Sequence, residues 1–275
     1  MADTLDIEPL KAWIGKTETM QDYLTESLID RFRATLEPHL WASDVPLGLH
    51  WCLALPTVPT NDLSEDGHTK KGGFLPPVPL PSRMWAGGEV EHHHSLSVNT
   101  PVTRISKVSD IFAKQGKSGN LVFVTVESEF YSGDKLCISE RQDLVFRGLS
   151  TLGKPVPPKT SETAVGSLEY CLTPNPVLLF RYSALTFNSH RIHYDGDYAR
   201  NSEGYPGLVI HGPLQATLLL NQAARTADNA PKRFSFRGLA PVTLGNSIEI
   251  HQKDDAVWCQ NTGGIRSFVA SFSDT

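Results

Sequence analysis

The run Leu214-Gln215-Ala216-Thr217-Leu218-Leu219-Leu220-Asn221-Gln222-Ala223-Ala224 is apolar almost all the way round a helical wheel, and a helix of that kind is buried rather than laid on a surface. Any fold for this chain therefore has to enclose it. Its start is legible as well: Pro213 suits the first turn, where a missing N–H costs nothing, and Gly212 lets another group approach the backbone closely. A buried helix with an open N-terminus presents unpaired N–H groups and a partial positive charge to whatever faces it. An oxyanion fits there.

Just upstream lies the window Phe187-Asn188-Ser189-His190-Arg191-Ile192-His193-Tyr194-Asp195, followed by Tyr205-Pro206-Gly207-Leu208-Val209-Ile210-His211-Gly212. Acid/base chemistry on an acyl compound needs a titratable group near neutral pH beside a fixed cluster of hydrogen-bond donors. This window and the helix start together can supply both. Taken singly the residues have plainer uses: a lone histidine is more often a core residue satisfied by a carbonyl, and asparagine commonly forms turns.

The chain has 275 residues, 40% of them hydrophobic, enough for two modest domains with real cores. Its net charge of -5 without a long Lys/Arg run argues against nucleic-acid and membrane-surface partners. Cys52, Cys137, Cys171 and Cys259 are far apart, so they suggest free thiols rather than a zinc or redox motif. No export signal, Arg-rich transit peptide or membrane span is legible, and the expected compartment is the cytoplasm, or the mitochondrion in a eukaryote. His92-His93-His94 reads as a solvated strand, because consecutive strand histidines point to opposite faces and cannot all meet one metal ion. No phosphate-binding or nucleophile-elbow motif is present.

An amphipathic helix is expected from about Asp22 to Leu36, stopped by Pro38, and the Pro/Gly-rich stretch from Pro56 to Gly88 reads as irregular, a flap or partner arm. Alternating segments at Glu91–Val98, Pro101–Lys114, Asn120–Tyr131 and Lys135–Arg147 predict an antiparallel meander, with Gly116-Lys117-Ser118-Gly119 as a hairpin turn. Residues 150–162 read as an exposed linker. The second half repeats the plan: an apolar strand near Leu178–Tyr182, the motif window, the buried helix, then strands near Arg233–Leu239, Ser247–Gln252, Ala256–Cys259 and Gly264–Ser271.

The window resembles the signature of the MaoC-like, R-specific enoyl-thioester hydratases and dehydratases, in which an acid, an asparagine, a histidine and a second acid precede a His-Gly pair before the central helix. The phrases Gly73-Phe74-Leu75-Pro76-Pro77-Val78-Pro79-Leu80-Pro81-Ser82-Arg83-Met84-Trp85-Ala86-Gly87-Gly88 and Gly119-Asn120-Leu121-Val122-Phe123-Val124-Thr125-Val126 are similar to the two-domain branch. That branch includes the mitochondrial 3-hydroxyacyl-thioester dehydratases and the mesaconyl-C4-CoA and itaconyl-CoA hydratases. The resemblance implies an α+β double hotdog fold, each half an antiparallel sheet wrapped round a central helix. It implies an N-terminal hotdog domain, 1–149, lacking the catalytic motif, and a C-terminal one, 163–275, carrying it. It places His193 on the catalytic histidine, Asp195 on the acid two residues later, and Gly212 on the glycine whose N–H polarises the thioester carbonyl. Asn188 stands where the family usually has its catalytic aspartate, and His190 where it usually has asparagine. A neutral amide cannot take a proton.

The function that follows is reversible hydration of a short, methyl-branched, unsaturated dicarboxylic acyl-CoA, itaconyl-CoA or mesaconyl-C4-CoA, to citramalyl-CoA. His193 is expected to activate water, Asn188 to position it, Gly212 to hold the thioester oxygen, and Asp195 or a residue of the Pro-rich segment to orient the imidazole. Either His190 or a carboxylate from the other half completes the missing pair. Arg191, and after it Arg83, suits a distal carboxylate through paired hydrogen bonds; His190 and His211 are further substrate-binding candidates. No cofactor or metal is expected beyond the CoA carried by the substrate, and a homodimer is expected by analogy. Two alternatives stand beside this reading: a 3-hydroxyacyl-thioester dehydratase of fatty-acid synthesis with a deep apolar tunnel, and a non-catalytic acyl-thioester binding subunit.

Overall fold

A computed structural model describes residues 5–116, 119–148 and 166–274. In the first half β1 (Thr17–Leu24) leads into α1 (Glu26–Leu36), and then come β2 (Ser82–His92), β3 (Thr100–Gly116), β4 (Gly119–Ser132) and β5 (Lys135–Arg147). In the second half β6 (Ser167–Leu172) is followed by α2 (Pro176–Leu185), α3 (Gly196–Asn201), α4 (Gly212–Ala227), β7 (Arg233–Gly238), β8 (Ile248–Lys253), β9 (Ala256–Asn261) and β10 (Arg266–Ser273). These strands form one antiparallel sheet in the order β1-β3-β4-β5-β2-β7-β10-β9-β8-β6. Each half thus puts its first strand at the outer edge and its second at the shared centre, where β2 pairs with β7. The chain is an α+β double hotdog.

The helix that had to be enclosed is α4. Every residue from Leu214 to Ala224 is buried, and its four leucines, at most 1% exposed, each contribute on the order of 1.5–3 kcal/mol by burial. Its polar residues are all paired, as buried polar groups must be. Gln215 accepts a hydrogen bond from Ser267 at 2.6 Å, Thr217 donates to the Pro213 carbonyl, and Gln222 donates to Gln252. Asn221 ties α4 to the first half, accepting from Trp41 N–H at 2.9 Å and donating to the Leu47 carbonyl at 3.1 Å.

Several expectations change. The first helix starts at Glu26, capped by Thr25, because the residues before it pair as β1 against β3. The apolar run near Leu178–Tyr182 is helical, not a strand: Asn175 caps it by accepting from Leu178 N–H, and Pro176 opens its first turn. A short apolar run does not distinguish the two states; the Asn-Pro start does.

The last part of the Pro/Gly stretch is β2, a central strand. Its glycines answer crowding rather than flexibility: a Cβ on Gly87 would lie 2.7 Å from the Phe236 carbonyl oxygen, and one on Gly88 would lie 2.2 Å from that of Arg141. Because β2 ends at His92, the three histidines do not share a strand; His92 bonds the Pro231 carbonyl and His93 the Ser139 hydroxyl. Between α1 and β2 the first half has only the short 3-10 turns Leu49–Cys52 and Thr60–Asp62, where the second has α4. The linker expected at 150–162 and the middle of the expected 116–119 turn lie outside the described residues.

Candidate active site

A cavity of about 2230 Å³ opens between the two halves, beyond the roughly 300–1,000 Å³ of ordinary small-ligand sites. It has room for an extended ligand. Gly212, at the start of α4, lines it, and the first N–H groups of a helix have no partner inside that helix. The Trp85 ring lies against this glycine, 3.1 Å from where a Cβ would stand. A side chain there would press into the ring and fill the approach to the N–H groups.

Opposite is His193, at the end of a 3-10 turn, Arg191–His193. Its Nδ1 lies 2.8 Å from the Val209 carbonyl oxygen. A carbonyl only accepts, so Nδ1 carries the hydrogen and Nε2 is left with its lone pair. The ring stacks on His211 at 3.7 Å between centroids. Burial first, and the neighbouring His211 second, hold His193 well below the usual imidazole range, so it is neutral, with the Nε2 lone pair free to accept. His211, whose Nε2 is 2.8 Å from the Ser183 hydroxyl, is itself pushed down to about 3 by burial.

Asn188 lines the cavity with its orientation set: its side-chain oxygen accepts from His190 N–H at 3.0 Å. That leaves the amide N–H₂ as the donor end. His190 is buried, its Nε2 3.4 Å from Glu203, and its ring meets His193 edge-on at 5.5 Å.

Three expected roles are corrected. Asp195 does not orient His193; it caps α3 by accepting from Tyr198 N–H at 3.0 Å and binds Arg191 at 2.7 and 3.1 Å. The Val209 carbonyl does the orienting. Arg191 is therefore committed, with its guanidinium on Asp195 and the Glu65 carbonyl and stacked 4.1 Å over Tyr198. His211 is 0% exposed beneath His193 and does not face the cavity, so it supports the imidazole rather than a ligand.

Arg83 differs. It lines the cavity, and its side chain makes no hydrogen bond or ion pair among the described residues. Burial lowers its guanidinium to about 10, with Asp66 pulling the other way, so it remains charged.

Sequence reasoning named the Pro-rich segment but not its residues. Asp66 and His68 come from it, joined at 2.8 Å between Oδ2 and Nδ1, and the His68 ring packs on His190 at 4.0 Å. What carries them there is Gly67, with φ +88°; a Cβ on it would fall 1.8 Å from the Ser189 carbonyl oxygen. The signal was a glycine between an acid and a histidine. Asp66, His68 and His190 have nitrogen or oxygen atoms within 4.8 Å of one another. The His68 and His190 rings are tilted by 37°, and Nδ1 of His68 is already bonded to Asp66.

Residues 48–244 match the family model for hydroxyacyl-thioester dehydratase type 2. The chain is 44% identical to mesaconyl-C(4)-CoA hydratase of Chloroflexus aurantiacus over 238 residues, 84% of each protein. It is 28% identical to the mitochondrial hydroxyacyl-thioester dehydratase type 2 of Schizosaccharomyces pombe, covering 84% of this chain and 88% of the other. Among solved structures, HtdX of Mycobacterium tuberculosis aligns with a TM-score of 0.69 at 17% identity, over 94% of this chain and 99% of that one. A second M. tuberculosis protein, described as a double hotdog, aligns at 0.55 and 14% identity over 94% and 95%. These last two speak for the fold alone.

Proposed function

This chain belongs to the hydroxyacyl-thioester dehydratase type 2 family and is a hydro-lyase, and from that premise we propose that it reversibly hydrates a short, methyl-branched, unsaturated dicarboxylic acyl-CoA. The substrate is itaconyl-CoA or mesaconyl-C4-CoA and the product citramalyl-CoA. The identity to mesaconyl-C(4)-CoA hydratase supports this choice. The observation that carries the dicarboxylic part is Arg83, a cavity-lining guanidinium with no carboxylate of its own. A half-buried cation that no ion pair neutralises is costly, and a substrate carboxylate relieves that cost through paired hydrogen bonds.

In this reading the thioester oxygen lies on the Gly212 N–H, where the helix dipole stabilises the charge that develops. The Asn188 amide holds a water, and Nε2 of His193 takes its proton as the oxygen bonds Cβ. No cofactor is needed beyond the CoA of the substrate. The working form is a homodimer in the cytoplasm.

The test follows the loss or gain of enone absorbance with itaconyl-CoA, mesaconyl-C4-CoA and a crotonyl-type series of rising length. Dicarboxylic thioesters should be the preferred substrates. Arg83→Ala should lower kcat/KM for them by the equivalent of about 1.5–3 kcal/mol, the value of a hydrogen bond to a charged group, while sparing crotonyl-CoA. Preference for unbranched monocarboxylic chains would instead favour the 3-hydroxyacyl-thioester dehydratase of fatty-acid synthesis; the fungal relative's name gives a hydroxyacyl-thioester dehydratase. No turnover of any thioester would leave a binding subunit.

A further inference from the structure

Hydration needs a base for water and an acid for Cα. The site described so far has no acid. His193 is fixed with its hydrogen on the Val209 carbonyl and a bare Nε2, His211 lies behind it against Ser183, and residue 188 is an amide. We propose that His68 and Asp66 form the second proton-transfer pair, with His68 delivering the proton to Cα, Asp66 as its positioning residue, and the substrate's distal carboxylate on Arg83 drawing that proton in.

Three observations support this. His68 lines the same cavity as His193, Asn188, Gly212 and Arg83. Its Nδ1 is 2.8 Å from Asp66, and a carboxylate only accepts, so Nδ1–H is held there and Nε2 is the free atom; Nε2 makes no hydrogen bond among the described residues. Finally, among the four neighbouring imidazoles of the site, His68 has the nearest carboxylate; His190 is 3.4 Å from Glu203, His193 has a carbonyl and His211 a hydroxyl. An imidazolium gains far more from a carboxylate than from a carbonyl.

The charges around His68 explain the role of the substrate. Asp66 favours its protonated form, whereas burial, then Arg83 and His190, oppose it and bring it down to about 3 in the free protein. Lys71 stands near Asp66 and Arg83 and adds positive charge. Burial opposes the ionised form of Asp66, but the His68 hydrogen bond holds its carboxyl below the usual range, so it stays ionised. A carboxylate bound to Arg83 offsets the guanidinium's effect, so that it and Asp66 together favour the protonated ring against its burial. The protein takes up a proton with its substrate.

The step balances. An O–H bond of water breaks toward Nε2 of His193 as oxygen bonds Cβ, and the π pair moves onto Cα and the thioester oxygen. The N–H bond at Nε2 of His68 then breaks as Cα–H forms. His193 ends protonated and His68 neutral. His193 returns its proton to solvent as product leaves, and His68 gains one with the next substrate, so the sum is addition of water.

This inference rests on the dicarboxylic reading above. Its test uses the full chain, with His68→Gln and the gentler Asp66→Asn. For mesaconyl-C4-CoA, His68→Gln should lose about 10²–10⁴-fold in kcat with KM little changed, and Asp66→Asn should lose less in the same constant. Binding of mesaconyl-C4-CoA to a non-turning His193→Ala protein, followed with a pH indicator in weak buffer, should draw a proton from solution. The same protein with crotonyl-CoA, or carrying His68→Gln as well, should draw none. Retained kcat in His68→Gln, or proton uptake that survives its loss, overturns the inference while the substrate reading stands. So does activity lost to a chelator and restored by zinc, which would make Asp66, His68 and His190 a metal site. Wild-type protein that ignores dicarboxylic thioesters overturns both.

Discussion

The two halves of the sheet share a strand order, yet they use the segment before their central strands differently. In the second half that segment is α4, whose open end faces the cavity. In the first it shrinks to the short turns Leu49–Cys52 and Thr60–Asp62, and a Cβ on Gly48 beside the former would touch Thr217 of α4 at 3.0 Å. The Leu47 carbonyl and the Trp41 N–H are spent on Asn221 of the same helix. The first half thus braces the other half's helix in place of building its own. It also contributes to the cavity: Arg83 and Trp85 from β2, and His68, held by Asp66, from the loop before it. One half holds the oxyanion site and the imidazole. The other holds the charges.

That division can be broken most severely at His193. His193→Ala should leave the fold intact and lower kcat by about 10²–10⁴-fold, measured with the thioester that Arg83 favours. An ordinary turnover number would end its assignment as the base. The seam between the halves is the next point of attack. Gly87→Ala forces a methyl against the Phe236 carbonyl across that seam, and overpacking of this kind costs about 1–3 kcal/mol, read as a lower urea midpoint.

The smallest effect sharpens the comparison, because His50, near the first half's turn, is a buried histidine with both nitrogens unpartnered. Burial, and after it His92, hold it well below the usual 6.5, as burial holds His193 and His211. Such a group stays neutral when folded, while the unfolded chain binds the proton below 6.5. Stability is therefore fully present above that value and is lost as pH falls below it toward the folded-state values. Replacing the unpaired polar ring, His50→Leu, should stabilise the protein by up to about 1–3 kcal/mol, more near pH 5 than near pH 8. Urea midpoints at the two pH values check it. An equal gain at both would mean that the ring is not held neutral.

Much of this was legible along the chain. The strands at Arg233–Gly238 and Ile248–Lys253 lie within a residue or so of the positions their alternation suggests, since a half-buried strand writes its period into the sequence. The helix start at Gly212-Pro213 was legible for the same kind of reason, a local backbone demand. Asp195 was not, because two residues from a histidine looks like a partner, whereas its oxygen reaches the nearer Tyr198 N–H and Arg191. The central strand β2 was hidden because its glycines serve contacts with Phe236 and Arg141, far away in sequence.

By itself, then, the sequence determined that a helix must be enclosed, that its first N–H groups stand open, and that a histidine lies close before it in the chain. These follow from the size, polarity and backbone freedom of neighbouring residues. Only the tertiary structure decided which groups face one another across the cavity: Val209 rather than Asp195 behind His193, Arg83 rather than Arg191 free for a ligand, and Asp66 with His68 beside His190. Partnership of that sort depends on distances between atoms brought together by the folded sheet, and no local preference of the chain encodes it.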